Sequence, residues 1–481
     1  KETAGGLPAV ISAWKHGVSK MGFVGSTVSL GRANQKRGFD CPGCAWPDPK
    51  HRSPFEYCEN GAKAISDEAT IKTIPDSFWQ EHSIHALGRK SDQWLNSQGR
   101  LSRPLILERD SNHYVPSDWD RAIGIIAKSL DALEDPNDAY FYTSGRASNE
   151  AAYLWQLLAR QYGTNNLPDC SNMCHESSGV ALNESIGIGK GTVRLEDFDK
   201  ADLIVIVGQN PGTNHPRMLS ALKSAKKSGA SVLSIDPLKE TGMRRFRHPQ
   251  SPIDMLGAGT QISDDHVNIK INGDMALFRA IGSIILDKGS HDPDFINLNT
   301  TGFLDYAKIA QKIDWDLIEH LTGQDRGRIN EISDYFCRSR RTIVCWAMGI
   351  TQHKNSVNTI REIMNVLLLK GDIGREGSGP CPVRGHSNVQ GDRTVGITHA
   401  PDEFFIEKLS KEFEIDTPSD HGADSVNAVM KMKKSGGIFL SLGGNFLSAM
   451  SDTDYTAEAL EKCSLTVQIS TKLNRSHLIT G

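Results

Sequence analysis

Short runs of consecutive apolar residues recur along the chain from about residue 117 onward. They are Asp138–Tyr142, Ala201–Val207, Ala230–Ile235, Arg341–Trp346, Gly437–Ser441 and Leu465–Ile469. Runs of this length that do not alternate with polar residues predict strands buried on both faces, the habit of parallel sheets. Between them the apolar positions change to helical spacing. Leu154, Leu157, Leu158 and Tyr162 follow Ser148-Asn149-Glu150 and are stopped by Gly163. Val180, Leu182 and Ile186 are stopped in the same way by Gly187. Ser117-Asp118-Trp119-Asp120 reads as a capping-box start for Ile123, Ile126 and Leu130, and Met218–Leu222 follows the second strand run. The alternation predicts an α/β chain with at least two doubly wound layers.

Nearly every predicted strand ends in a turn rich in Gly, Asn or Asp: Thr143-Ser144-Gly145, Gly208–Gly212, Asp236-Pro237, Met348-Gly349 and Gly443-Gly444-Asn445. Open α/β sheets bind ligands beyond the carboxyl ends of their strands, so these turns suit a large ligand or several nucleotide moieties. No Gly-x-Gly-x-x-Gly follows a strand and no phosphate-loop motif is present, which argues against an ordinary nicotinamide enzyme, a kinase or an ATPase.

At 481 residues the chain is long enough for about three domains or subdomains. Its formal charge of −4, with no long basic run, argues against nucleic acid as the main partner. The longest apolar runs are strand-sized, so no membrane span is expected. The first residues, Lys-Glu-Thr-Ala-Gly-Gly, carry no apolar signal core and no twin arginine. Nine cysteines, two of them at metal-ligand spacing, favour a reducing, cytoplasmic setting over a disulfide framework.

Two cysteine contexts carry candidate chemistry. Cys174 and His175 stand side by side between two predicted helices, where free N–H groups and the positive end of a helix dipole favour thiolate over thiol. A thiolate there serves as a nucleophile or as a soft metal ligand. The first hundred residues read as irregular and Pro- and Gly-rich, and hold Cys41-Pro-Gly-Cys44 with Cys58 beyond it. A Cys-x-x-Cys pair outside a strand-to-helix turn suits iron–sulfur or zinc better than a thioredoxin-like dithiol.

Six motifs, in order along nearly the whole chain, carry a resemblance. They are Cys41-Pro-Gly-Cys44, Tyr142–Glu150, Asn172-Met-Cys-His-Glu176, Gly208–Pro216, Gly349–His353 and Arg384–Gly391. On these the chain resembles the molybdopterin oxidoreductases, in the branch of formate dehydrogenase H and YdeP. The resemblance implies molybdenum bis(molybdopterin guanine dinucleotide) between two Rossmann-like domains, with a [4Fe–4S] cluster in a small irregular N-terminal domain. The implied boundaries are 1–103 for the cluster domain, 104–169 with 387–481 for one pterin domain, and 170–386 for the other.

Residue by residue, Cys174 matches the cysteine or selenocysteine that ligates molybdenum, His175 the neighbouring proton acceptor, and Arg384 the arginine that orients a small anionic substrate. Gly208, Asn210, His215 and Asp236 match loops that contact one dinucleotide; Gln352 and Gly443-Gly444-Asn445 match positions at either. Lys63 matches a lysine between cluster and pterin. The implied reaction is a formate dehydrogenase-like oxidation with electrons passed through the cluster to a partner protein. Another small oxyanion or aldehyde-like substrate, and a weakly catalytic stress protein retaining the fold, are the alternatives.

The chain departs from the family pattern at three places. The third position of the usual Cys-x2-Cys-x3-Cys motif is Asp48, so the expected ligands are Cys41, Cys44 and Cys58, with Asp48 as a harder additional donor. His386 stands where formate dehydrogenases tend to carry glutamine, and an imidazole titrates near neutrality where an amide does not. The sequence ends at Leu478–Gly481, where relatives continue into a β-rich domain over the pterins, so that cap is expected to be missing.

Overall fold

In the computed structural model, which describes residues 2–479, eight strands build the two principal sheets. They are β1 (Ala139–Thr143), β2 (Leu203–Val207), β3 (Ser231–Ile235), β4 (Asp265–Val267), β5 (Thr342–Trp346), β6 (Gly379–Pro382), β7 (Ile438–Leu442) and β8 (Leu465–Ile469). The chain divides into two compact units. The first comprises 1–17, 27–63 and 174–385; the second comprises 18–26, 64–173 and 386–481.

The first unit is organised by a five-stranded sheet of order β6-β5-β2-β3-β4, parallel throughout. Its central strands are buried along their whole length. Successive side chains point to opposite faces: Leu203, Val205 and Val207 pack with Val344 and Trp346 into one core, while Ile204 and Ile206 pack with Ile343 and Cys345 into the other. Full burial of an aliphatic side chain stabilises by about 1.5–3 kcal/mol, and a one-residue slip would exchange the two faces, so the register Val344↔Val205↔Leu233 is strongly specified. Helices Asp274–Asp287, Arg326–Arg338 and Ser356–Leu369 supply the facing apolar surface of the first core.

The second unit has the parallel order β8-β7-β1, in register at Phe141↔Leu440↔Val467. The segment 166–169 runs along the far side of β1, with Phe141 N donating to Asn166 O at 2.9 Å and Thr143 N to Pro168 O at 3.1 Å. Helix Asn149–Tyr162 starts on the Ser148 hydroxyl, which accepts from Ala151 N, and stops at Gly163 in the left-handed region (φ 113°). The Arg160 side chain on this helix is fully buried. Its guanidinium donates to Asn165 Oδ1 (3.0 Å), Gly396 O (2.9 Å) and Thr398 O (3.0 Å), and burial draws its pKa down to about 10. Among the described residues no helix is long and apolar enough to cross a membrane.

The N-terminal hundred residues correct the expectation of an irregular segment in part. The chain is helical over Gly6–Arg32 with a break at Gly22 (φ 71°), and short helices occupy Glu59–Glu68, Asp76–Glu81, Ile84–Gly88 and Asp92–Ser97. Closely spaced glycines hid the long helix: Gly17, Gly22, Gly25 and Gly31 read as loop. Between 33 and 58, where the first cysteines lie, neither helix nor strand forms.

Asp392 gives the second unit a pH dependence. It is buried, accepts from Asn388 Nδ2 at 3.2 Å, and burial together with the neighbouring Asp169 pushes its pKa up to about 8. The folded protein holds it protonated where the unfolded chain is ionised. Its stabilisation is therefore complete below the ordinary value of 3.8 and is lost as pH rises through about 8. Asp392→Asn removes that loss. The variant is expected to melt with wild type near pH 4 and to be more stable by on the order of 1–3 kcal/mol at pH 8 and above. Melting curves at the two pH values check this, and a gap that fails to widen with pH would sink it.

Candidate functional site

In the first unit the chain leaves β2 towards β3 on one side and returns to β5 on the other. The loops after β2 and β5 therefore part at the carboxyl edge of the sheet, the topological switch point where such sheets bind ligands. Two glycines make the closest approach there. Gly349 N donates to Gly208 O at 3.0 Å, and a Cβ placed on Gly349 would lie 2.5 Å from that oxygen. Gly208 is itself left-handed (φ 54°), and its own Cβ would lie 2.8 Å from the Gly349 carbonyl carbon.

The loop after Gly208 is tied by its own polar side chains. Asn210 Oδ1 accepts from Thr213 N at 3.1 Å. His215 is buried, with Nδ1 at 3.3 Å from Gln209 Nε2 and Nε2 at 3.0 Å from Arg384 O. The Arg384 carbonyl can only accept, which puts the imidazole proton on Nε2 and leaves Nδ1 to accept from the Gln209 amide nitrogen. Burial lowers the His215 pKa, so the ring stays neutral and buckles the β2 loop to the segment after β6. Gln209, buried and also 3.1 Å from Met218 Sδ, was not singled out in the sequence; only its place after Gly208 pointed to it.

Cys174 closes the short helix Cys170–Cys174, and His175 precedes helix Glu176–Ile186. Both are buried. The Cys174 carbonyl is clamped from the β5 loop: Thr351 Oγ1 donates to it at 2.6 Å and Gln352 Nε2 at 3.4 Å. His175 Nδ1 lies 2.9 Å from Ser178 Oγ, which also accepts from Trp346 Nε1 at 3.0 Å. Indole N–H only donates, so the Ser178 proton is left to point at Nδ1. Burial, with the positive charge of Arg384 and the neighbouring His215, lowers the His175 pKa to about 3 against a supporting bond with the Val383 backbone. The imidazole is neutral throughout the physiological range. Arg384 is largely buried and donates from Nη2 to Gly189 O at 3.0 Å. Ser178, Trp346 and Thr351 were not picked from the sequence, because what they do depends on partners far along the chain.

Asp236 sits at the end of β3, half-buried, accepting from Leu238 N at 3.0 Å. Burial raises its pKa, and its charge adds to the burial that raises the neighbouring Asp274 to about 7.

The second unit repeats the glycine construction. Ser144 N donates to Leu442 O at 3.0 Å, and Gly443 and Gly444 (φ 71° and 77°) close on the Ser144 side chain, 3.3 and 3.2 Å from where their Cβ atoms would stand. Asn445 Oδ1 accepts from Ser476 Oγ at 3.0 Å. Gly145 N donates to the buried Cys170 thiol at 3.1 Å, and a Cβ on Gly145 would lie 2.5 Å from that sulfur and 3.0 Å from His386 Cβ. His386 is thus packed against the Gly145 turn, its pKa lowered by burial and by Arg146.

The three N-terminal cysteines gather in the first unit. Asn34 staples their loop, accepting from Cys41 N (2.7 Å) and donating to Glu56 O (2.7 Å). Gly61 N donates to Cys58 Sγ at 3.3 Å, and a Cβ on Gly61 would lie 2.9 Å from Cys41 Sγ and 3.7 Å from Cys58 Sγ. Burial and the Cys44 and Cys41 thiols push the Cys58 pKa up to about 11. Asp48 faces the cations Arg217 (2.9 Å) and Arg52 (3.4 Å). Lys63 pairs with Glu59 at 2.7 Å.

The family model described as Molybdopterin oxidoreductase matches residues 100–477. The chain is 49% identical over its whole length to an uncharacterized oxidoreductase of Mycobacterium tuberculosis, of which it covers 63%, and 43% identical over 99% of its length to the protein YdeP of Escherichia coli, of which it covers 65%. It is also similar to formate dehydrogenase H of Escherichia coli, 28% identical over 67% of this chain and 44% of that one. The chain therefore spans slightly under two-thirds of the length of these two curated relatives. Among solved structures, acetylene hydratase from Pelobacter acetylenicus shares the fold, with a TM-score of 0.61 at 16% identity over 78% of this chain and 53% of that one.

Proposed function

Because this chain belongs to the molybdopterin oxidoreductase family, we propose that it forms the cofactor-binding part of a cytoplasmic, formate dehydrogenase-like enzyme that oxidises a small anionic substrate. The observation that carries this reading is Cys174 at the switch point of the first sheet, its carbonyl clamped by Thr351 and its neighbour His175 under the influence of Arg384.

The residues fit the group. Gly208 and Gly349 leave backbone bare at the sheet's carboxyl edge, as Gly443 and Gly444 do in the second unit, which lets a dinucleotide lie against main chain. Asn210, Asp236, Gln352 and Asn445 are the polar side chains of those loops, and Cys174 is the soft ligand for molybdenum or tungsten. When bound, the metal–pterin group supplies the two-electron redox step, and the protein supplies orientation and charge.

Arg384 holds the substrate anion by charge-assisted hydrogen bonds. A neutral His175 does not compete with Arg384 for that anion, and with its Nδ1 held by the Ser178 hydroxyl the ring is fixed beside Cys174 as the neighbouring base. Neutral His386 offers one donor and one acceptor, as the amide of a glutamine does. Cys41, Cys44 and Cys58 would hold an iron–sulfur cluster, which would supply single-electron transfer to a partner protein.

Metal analysis of full-length protein expressed anaerobically, with the released pterin identified, tests the reading. About one Mo or W per chain with a guanine dinucleotide pterin is expected, followed by formate-dependent reduction of an artificial acceptor. Protein free of metal and pterin overturns the cofactor; loaded protein inert to formate but active on another oxyanion or an aldehyde moves the substrate alone.

A further inference from the structure

We infer that the N-terminal pocket gives its iron–sulfur cluster three protein ligands and leaves the fourth iron corner open. This rests on the reading that Cys41, Cys44 and Cys58 hold a cluster. Among the described residues no three ligand side chains converge at the spacing of a single ion. The space between the thiols is instead kept by two glycines. The missing side chain of Gly61 faces Cys41 and Cys58, and that of Gly43 faces Cys41 at 3.3 Å. A polynuclear cluster holds its thiolates farther apart than one tetrahedral ion does, and the Gly61 N–H on Cys58 Sγ is the kind of donor that tunes cluster sulfurs.

The fourth ligand is what the pocket lacks. Asp48, standing where the family motif has its third cysteine, is committed elsewhere. Its carboxylate bridges Arg217 and Arg52, and Arg217 also holds Glu56 at 2.7 Å. Two cations and two carboxylates balance, and the Asp48, Glu56 and Arg217 side chains are only 16%, 15% and 13% exposed. Turning Asp48 to iron would strip a mostly buried guanidinium of one partner in exchange for a hard donor on a soft-ligand centre. Glu59 is likewise taken, by Lys63.

An iron without a protein ligand is the one that leaves on oxidation. An oxidant takes one electron from [4Fe–4S]2+; the cluster releases Fe2+ and remains as [3Fe–4S]+, so iron and charge both balance.

The test is a ferricyanide titration of full-length protein, reconstituted anaerobically and followed by EPR and released iron. Wild type is expected to release about one iron per cluster and to develop the three-iron signal. Asp48→Asn is expected to match it, since Asp48 is not a ligand. Asp48→Cys restores the fourth thiolate, and in a sample that keeps its melting temperature it should hold all its iron without the three-iron signal. Wild-type clusters that survive oxidation intact, or an Asp48→Asn spectrum that differs from wild type before oxidation, overturn the inference. Failure to incorporate iron and sulfide, with Cys58→Ser indistinguishable from wild type, instead overturns the reading that the pocket holds a cluster at all.

Discussion

On the proposed reading of Cys174 as the metal ligand, full-length, metallated protein carrying Cys174→Ala is expected to lose turnover by at least about a thousandfold, because the substitution would remove an interaction with the reacting metal and leave substrate binding in place. The fold should be nearly indifferent. The thiol is small and buried, and what fixes this segment is the carbonyl of residue 174, which any side chain retains for Thr351 and Gln352. A melting shift within about 3 °C is anticipated, equivalent to roughly 1 kcal/mol. Steady-state rates beside melting curves separate the two effects. Turnover that survives the change would remove Cys174 from the metal, and a collapse in stability would make it a core residue.

The opposite pattern is expected at Gly349. An alanine there drives its Cβ to 2.5 Å from the Gly208 carbonyl oxygen, and backbone on both sides prevents the give that a flexible side chain would offer. The cost is about 3 kcal/mol or more, a fall in melting temperature of roughly 5–10 °C, and on the proposed reading the loosened switch point would also lose pterin. Gly179→Ala is the contrast, since helix Glu176–Ile186 leaves open space where its Cβ would point. It should be neutral or stabilising by about 0.5–1 kcal/mol. Equal melting temperatures for the two variants would show that the Gly208–Gly349 contact is not needed.

What could be read from the sequence follows from what is doubly buried. The six apolar runs became strands within two residues of the expected places, because residues packed on both faces of a parallel sheet have no polar positions to interrupt them. In the two principal sheets the strands that went unread, Asp265–Val267 and Gly379–Pro382, lie at the edges. An edge tolerates Asp, His and Pro, which cannot be kept in the middle of a sheet, and so it writes no apolar run. At the candidate site, Cys174 and His175 stood out because they are adjacent in sequence. The Thr351 clamp, the Trp346–Ser178 link and the ion pairs of Asp48 join residues whose proximity exists only after folding, and no spacing rule reaches them.

The division of the chain also bears on its synthesis. In the second unit β1 hydrogen-bonds β7, yet Ala139–Thr143 and Ile438–Leu442 are separated in sequence by all the strands of the other sheet. A ribosome delivers β1 long before its partner. While residues 174–385 emerge and fold, an apolar strand waits with an unpaired edge, the kind of exposed surface that aggregates or recruits chaperones. The inserted sheet must close quickly and by itself, and expression that slows the ribosome late in the message would lengthen the exposure of β1 and lower the yield of soluble protein.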